Sequence, residues 1–215
     1  MKPFRNFFGF LAVLLAAISP NAGSAQTAKD IFNGTDLPIT YLGIDFSQAK
    51  LIGDPGANPA DIKARIFGAI NQVVVNEPKK YEIAKALKKS NVSSDLSFVE
   101  EINSKIDADK IKSSNSADDS RFTPAIIEKM VKSYNFKGKK GIGLLFIMES
   151  MNKSTERGSM YVTFIDMASS KVLVTERMVG KAGGFGFRNY WVKPVHEVLD
   201  EIEGSKYKEW QAKFK

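Results

Sequence analysis

The spacing of apolar residues divides the chain into a helical middle and a strand-rich C-terminal third. Apolar and more polar residues first alternate over 39–46, which predicts a strand. Apolar residues then recur every three or four positions, which predicts several helices. Two of these helices begin with a capping residue followed by proline, at Asn58-Pro59 and at Thr123-Pro124.

Three strand candidates joined by short links follow, over 141–151, 160–167 and 171–179. Both faces of the first are apolar, which predicts a central strand, whereas the third has one wetter face. Consecutive strands with short links predict an antiparallel meander. A last helix follows, and because Pro194 lies within its apolar repeat, this helix either starts near Lys193 or is kinked.

These elements predict a single α+β domain over 38–215, after an irregular polar segment over 26–37. We expect a mainly antiparallel sheet, made of the N-terminal strand and the three-strand meander, with several helices packed against it. Turn-forming residues at 53–56 and a serine-rich polar stretch at 113–120 predict exposed connections.

Residues 1–25 have the three parts of a secretory signal peptide. Lys2 and Arg5 precede an apolar run over 7–18, and small residues at its end predict cleavage after Ala25. The run is shorter than the roughly 20 residues that span a bilayer, so no transmembrane segment is expected after cleavage. The alternatives are an uncleaved anchor and a buried helix. We predict a periplasmic or secreted protein.

Composition narrows the possible functions. Without residues 1–25 the chain has 29 Lys and Arg against 24 Asp and Glu, and this diffuse basic charge comes with no nucleic-acid-binding motif. The absence of cysteine excludes a lipid-modified cysteine, thiol catalysis and thiolate metal ligands. The single histidine, His196, excludes a multi-histidine metal site. We expect no nucleic-acid partner, no metal and no cofactor.

A glycine-rich loop between the last predicted strand and the last helix is the candidate binding site. Such a position lets backbone amides cradle an anion, with nearby cations adding charge. The loop lacks the residues of a Walker loop and the third glycine of a Rossmann fingerprint. The alternative is a turn whose glycines allow close packing under Phe185 and Phe187. The candidate ligand-binding residues are Lys181, Gly183, Gly184, Gly186, Arg188, Asn189, Tyr190 and Trp191.

Two aspartates interrupt the apolar pattern of predicted strands. Asp45 and Asp166 each fit a sheet-edge or turn-capping role, or one half of a cleft. No serine lies in a nucleophile elbow, and a lone histidine gives little support to a catalytic triad. No catalytic residue is therefore assigned.

The segment 161–176 resembles the strand–Asp–turn–strand of exported bacterial α/β accessory proteins of the curli-secretion and peptidoglycan-synthase-activator kind. The resemblance covers the C-terminal third of the chain. The chain departs from that kind of protein in lacking a lipid-attachment cysteine and in its long helical middle, so no functional residue is transferred. The resemblance implies a non-catalytic role in the cell envelope.

Two functions remain open from the sequence. The first is an exported, non-enzymatic binding or accessory protein, whose envelope-protein partner or anionic ligand meets the loop 180–189. The second is a hydrolase or transferase acting on an anionic envelope substrate, with Lys181, Arg188 and His196 near its site. A pocket that joins these three side chains to Asp45 or Asp166 favours the enzyme. A filled glycine turn favours the accessory protein.

Overall fold

The computed structural model describes residues 26–34 and 37–215. The predicted signal peptide, 1–25, lies outside the described residues. Within the two described ranges, no helix is both long enough and apolar enough to cross a membrane. The segment 26–37 was predicted to be irregular but contains a short helix, α1 (Ala28–Asn33). A capping box stabilises the start of this helix: the Thr27 side chain accepts from the Asp30 amide, and the Asp30 side chain accepts from the Thr27 amide.

The remaining helices are α2 (Pro59–Asp61), α3 (Phe67–Asn76), α4 (Ile83–Ala86), α5 (Ser97–Asn103), α6 (Pro124–Lys132), α7 (Phe187–Glu201) and α8 (Tyr207–Lys213). π-helical turns join α2 to α3 (Ile62–Ile66) and α7 to α8 (Ile202–Lys206). The strands are β1 (Ile39–Asp45), β2 (Lys50–Ile52), β3 (Val92–Ser94), β4 (Lys112–Ser113), β5 (Ile142–Asn152), β6 (Arg157–Asp166) and β7 (Lys171–Lys181).

The protein is α+β, but the prediction of a mainly antiparallel sheet is wrong. The order β3-β1-β5-β2-β4 is parallel throughout. Only the β5–β6 and β6–β7 pairs of the meander are antiparallel. Strands β1 and β2 lie one after the other along the same edge of β5. The chain runs from β1 to β5 through helices, and such a crossover returns the next strand in the same direction.

Helices cover both faces of this sheet. On one face α3, α7 and α8 bury a core that includes Phe146 and Trp191. On the other face α5 and α6 bury a second core around Leu145 and Ile147. Every residue of β5 is buried, because β5 lies between these two cores and pairs with strands on both of its edges. The predicted central strand is thus observed.

Helix α7 packs against β6 and β7 at two glycine positions. A Cβ atom added to Gly180 would lie 2.6 Å from Pro194 Cα, and one added to Gly158 would lie 2.9 Å from Pro194 Cβ. Gly158 and Gly180 are directly opposite each other on β6 and β7. The two glycines therefore leave space on the sheet surface for Pro194 to pack in close contact. A larger residue at either position would force α7 away from the sheet.

Pro194 also changes the hydrogen bonding of the helix. α7 runs through Pro194 and begins at Phe187, so it does not start near Lys193. Proline has no amide hydrogen, so the carbonyl of Tyr190, four residues earlier, receives no helical hydrogen bond from position 194. The amide of Gly183 donates to this carbonyl instead, at 3.2 Å. The helix interior thereby holds the loop that precedes the helix.

Gly180→Ala should lower the free energy of unfolding by about 1–3 kcal/mol, because the added methyl group has no room beside Pro194. Gly204→Ala is the matched control: no atom lies within 4 Å of the Cβ it would add. There alanine should be neutral or stabilise by up to about 1 kcal/mol. Chemical denaturation of both variants measures the difference. Equal stabilities would contradict this close packing of helix on strand.

Candidate functional site

The glycine-rich loop is fixed at its base and open at its tip. Ala182 is buried, and its amide donates to the carbonyl of Glu156 at 2.8 Å. At the tip, Gly184 and Gly186 have φ angles of +109° and +79°, in the left-handed region that favours glycine. We call residues 182–186 the docking loop.

The docking loop carries one aromatic side chain into solvent. Phe185 is 96% exposed and is the one large hydrophobic side chain so exposed in the described part of the chain. Phe187, at the start of α7, instead packs against the core, with its ring 6.2 Å from that of Trp191. The interpretation that both phenylalanines pack over the glycines is therefore wrong for Phe185.

Glycines on both sides explain the exposure of Phe185. Neither Gly184 nor Gly186 has a side chain that could cover the ring. The pattern of an aromatic residue between two glycines was visible in the sequence and could have indicated an exposed anchor.

The predicted site residues differ in how far they are exposed to solvent. Lys181, Gly184, Gly186, Arg188 and Asn189 are exposed, Gly183 and Tyr190 are half-buried, and Trp191 is 1% exposed. Trp191 belongs to the core and offers no surface to a ligand. The half-buried Tyr190 ring is covered by the ammonium group of Lys153, whose Nζ lies 3.5 Å from the ring centroid.

Two backbone amides of the loop are not free to bind an anion. The amides of Ala182 and Gly183 already donate to backbone carbonyls of the protein. Among the described residues Arg188 forms no salt bridge with an acid, and its Nε donates to the side-chain oxygen of Asn189 at 3.1 Å. At Gly180 the space that a side chain would occupy is taken by Pro194, and not by Phe185 or Phe187 as the packing interpretation predicts.

A hollow of about 630 Å³ with charges of both signs lies beside the docking loop. We call it the charged hollow. Arg157 and Lys181 lie opposite each other on β6 and β7 and line it. Its carboxylates are those of Glu156, Glu197 and Glu201.

The predicted enzyme residues Lys181 and His196 line two different hollows. Lys181 lines the charged hollow, whereas His196 lines a different one, where its Nδ1 lies 3.0 Å from the carboxylate of Asp200. Arg188 lines neither. Residues 26–34 and 37–215 also hold no group of three His, Cys, Asp or Glu residues that could bind a metal ion.

The two strand aspartates have structural partners. Asp166 ends β6 and accepts hydrogen bonds from the amide of Ala168 and the hydroxyl of Ser169. Asp45 is 1% exposed and accepts from the Tyr134 hydroxyl at 2.7 Å and from the amide of Ser47. Burial raises the pKa of the Asp45 carboxyl, and these hydrogen bonds only partly oppose that rise.

No protein-family model matches the chain, and no curated protein matches its sequence. The site is therefore interpreted from its own geometry.

Because the pKa of Asp45 is raised, we predict that Asp45→Asn increases the stability of the protein in a pH-dependent way. The folded carboxyl keeps its proton to a higher pH than the unfolded one, so its contribution to stability is lost as pH rises through the folded pKa. The variant should gain stability over the native protein as pH rises from about 4, the ordinary pKa of an aspartate, toward neutral. Thermal unfolding across this range measures the gain.

Tyr134→Phe should act in the opposite direction. It removes a hydrogen bond that lowers the pKa of Asp45, so the total loss of stability with rising pH should be larger than in the native protein. Parallel pH profiles for the native protein and both variants would contradict the assignment of Asp45 as a buried, proton-retaining carboxyl.

Proposed function

We propose that this is an exported, non-enzymatic accessory protein that binds a second protein of the periplasm or the cell surface through Phe185. The observation that supports this most is the 96% exposure of Phe185 on a loop whose first two residues are hydrogen-bonded to the domain. Solvent-exposed aromatic residues are uncommon, and aromatic anchors that fill a partner's pocket supply much of the binding energy of protein interfaces.

The held loop lowers the entropic cost of binding. The amides of Ala182 and Gly183 donate to Glu156 and Tyr190 and fix the start of the loop, while the amide of Tyr190 donates to Gly186 and fixes its end. A loop already ordered in its bound form loses less conformational freedom when it meets its partner. Burial of the phenyl ring then contributes about 1.5–3 kcal/mol.

The charges beside the loop favour a protein partner over a membrane. The charged hollow places Arg157 and Lys181 beside the carboxylates of Glu156, Glu197 and Glu201. These carboxylates would repel anionic lipid head groups, whereas a protein surface can present both signs of charge in complementary positions. The partner surface we propose has an apolar pocket for Phe185 and both acidic and basic residues next to it.

Export rests on the sequence of residues 1–25 and on the resemblance of 161–176 to exported accessory proteins. Lys2 and Arg5, the apolar run over 7–18 and the small residues before Gln26 together support a cleavable signal peptide.

When the full-length chain is expressed in a Gram-negative host, we expect it in the periplasm or the medium, with an N-terminus near Gln26. N-terminal sequencing and intact mass of the exported form measure this. Ala25→Arg should block cleavage, because it removes the small residue directly before the cut. Ser24→Arg is the matched control and should still be cleaved, since Ser24 lies between the two positions that the peptidase reads. A full-length chain retained in the cytoplasm would contradict export.

Phe185→Ser should weaken partner binding by about 10- to 100-fold, which corresponds to the loss of one buried phenyl ring. The free energy of unfolding should change by less than about 0.5 kcal/mol, because the ring makes no core contact.

A photo-crosslinking phenylalanine analogue at position 185 identifies the partner in intact cells of the source organism.

The matched control carries the same analogue at Ala168, which is exposed in the turn between β6 and β7. We expect a discrete protein adduct from position 185 that is absent from position 168. The same adducts from both positions, or adducts to lipid alone, would contradict the proposed function.

A further inference from the structure

A second concave surface lies at the carboxyl ends of three parallel strands. Strands β2, β4 and β5 all end at a cleft of about 640 Å³. We call it the strand-end cleft. It does not include the docking loop.

The topology of the sheet creates this cleft. The chain leaves β2 through α3 on one face of the sheet, and it reaches β5 through α6 on the other face. Strand β4 lies on one side of β2, and β5 lies on the other. Where successive connections diverge in this way, the carboxyl ends of parallel strands leave a crevice, and α/β proteins bind ligands there.

One buried side chain is oriented toward the cleft with a donor to spare. Asn152 lines the cleft and is 4% exposed. Its Oδ1 accepts hydrogen bonds from the amides of Ser154 and Thr155, at 3.1 Å and 3.2 Å. These bonds fix the side-chain amide, and its Nδ2 has no acceptor among the residues that the structure describes. Because Asn152 lines the cleft, this donor is free to bind a ligand or water that accepts from it.

The other polar groups of the cleft are mostly neutral and able both to donate and to accept. The hydroxyls of Ser116, Ser154 and Thr155 line it and make no side-chain hydrogen bond within the described ranges. Asp54 adds one carboxylate acceptor. Leu51, Ile52 and Pro55 add an apolar wall.

The two charges of the cleft do not favour an ionic ligand. Lys112 is its one cation, and its Nζ already donates to the carbonyl of Pro55 at 2.7 Å. A phosphate or carboxylate would meet this committed ammonium group beside the carboxylate of Asp54. A polyamine carries several positive charges, whereas Asp54 is the single carboxylate that lines the cleft.

We propose that the strand-end cleft binds a short neutral saccharide. Sugar hydroxyls, like the serine and threonine hydroxyls, donate and accept at once, and pairs of them suit an aspartate and an asparagine. The C–H face of a sugar ring matches the wall formed by Ile52 and Pro55. The volume of about 640 Å³ is within the usual range of small-molecule sites.

Saturation-transfer NMR on the mature protein tests this with three neutral probes: maltotriose, cellotriose and triacetylchitotriose. Glucose 6-phosphate and spermidine are the charged comparisons. At least one neutral trisaccharide should bind at millimolar concentration, and neither charged compound should bind more tightly.

Two variants locate the binding. Asp54→Ala removes the carboxylate, and Asn152→Asp keeps the Oδ1 acceptor of the turn while removing the Nδ2 donor. Each should weaken binding by about tenfold. Asp109→Ala changes an exposed residue that does not line the cleft, so it is the matched control and should bind as the native protein does.

The proposal is overturned by no binding of any neutral probe, by tighter binding of a charged compound, or by binding that both cleft variants leave unchanged. Phe185→Ser should not alter saccharide binding. The result is therefore separate from that of the crosslinking experiment at the docking loop.

Discussion

The contact between Pro194 and the glycine pair Gly158 and Gly180 is the constraint on which the placement of α7 and of the docking loop depends. Because both glycines lack side chains, α7 lies directly against β6 and β7. Because the residue that rests on them is proline, the carbonyl of Tyr190 is left without its helical donor and binds the amide of Gly183. One residue therefore both seats the helix and holds the docking loop.

The turn between β5 and β6 connects the two candidate binding surfaces. Lys153 covers the ring of Tyr190, next to the docking loop, and the carbonyl of Glu156 accepts from the amide of Ala182. Ser154 lines the strand-end cleft, and Thr155 lines both the cleft and the charged hollow. The partner surface and the saccharide site that we propose thus share one short segment of backbone.

The long elements of the fold were predictable from the sequence, and the short ones were not. The alternating and doubly apolar patterns identified β1, β5, β6 and β7, since each has at least seven residues. Strands of two or three residues, such as β3 and β4, are too short to show a period. Without them the parallel half of the sheet was invisible, and the sheet was predicted to be mainly antiparallel.

The two candidate binding sites were also only partly predictable from the sequence. The docking loop was located by its glycines, but sequence spacing did not show that Trp191 faces the core while Phe185 faces solvent. The strand-end cleft combines segments that are distant in the chain, at 53–55, 112–116 and 152–155, and each by itself predicts only a turn. Their meeting depends on the parallel register of β2, β4 and β5, which was not predicted.

Amide hydrogen exchange at Gly183 tests most directly whether Pro194 holds the docking loop. In the native protein this amide should exchange slowly, because it is bonded to the carbonyl of Tyr190. In Pro194→Ala a new amide at position 194 competes for that carbonyl, so Gly183 should exchange faster while Ala182 stays protected by Glu156. Rapid exchange of Gly183 in the native protein, or an unchanged rate in the variant, would contradict this account.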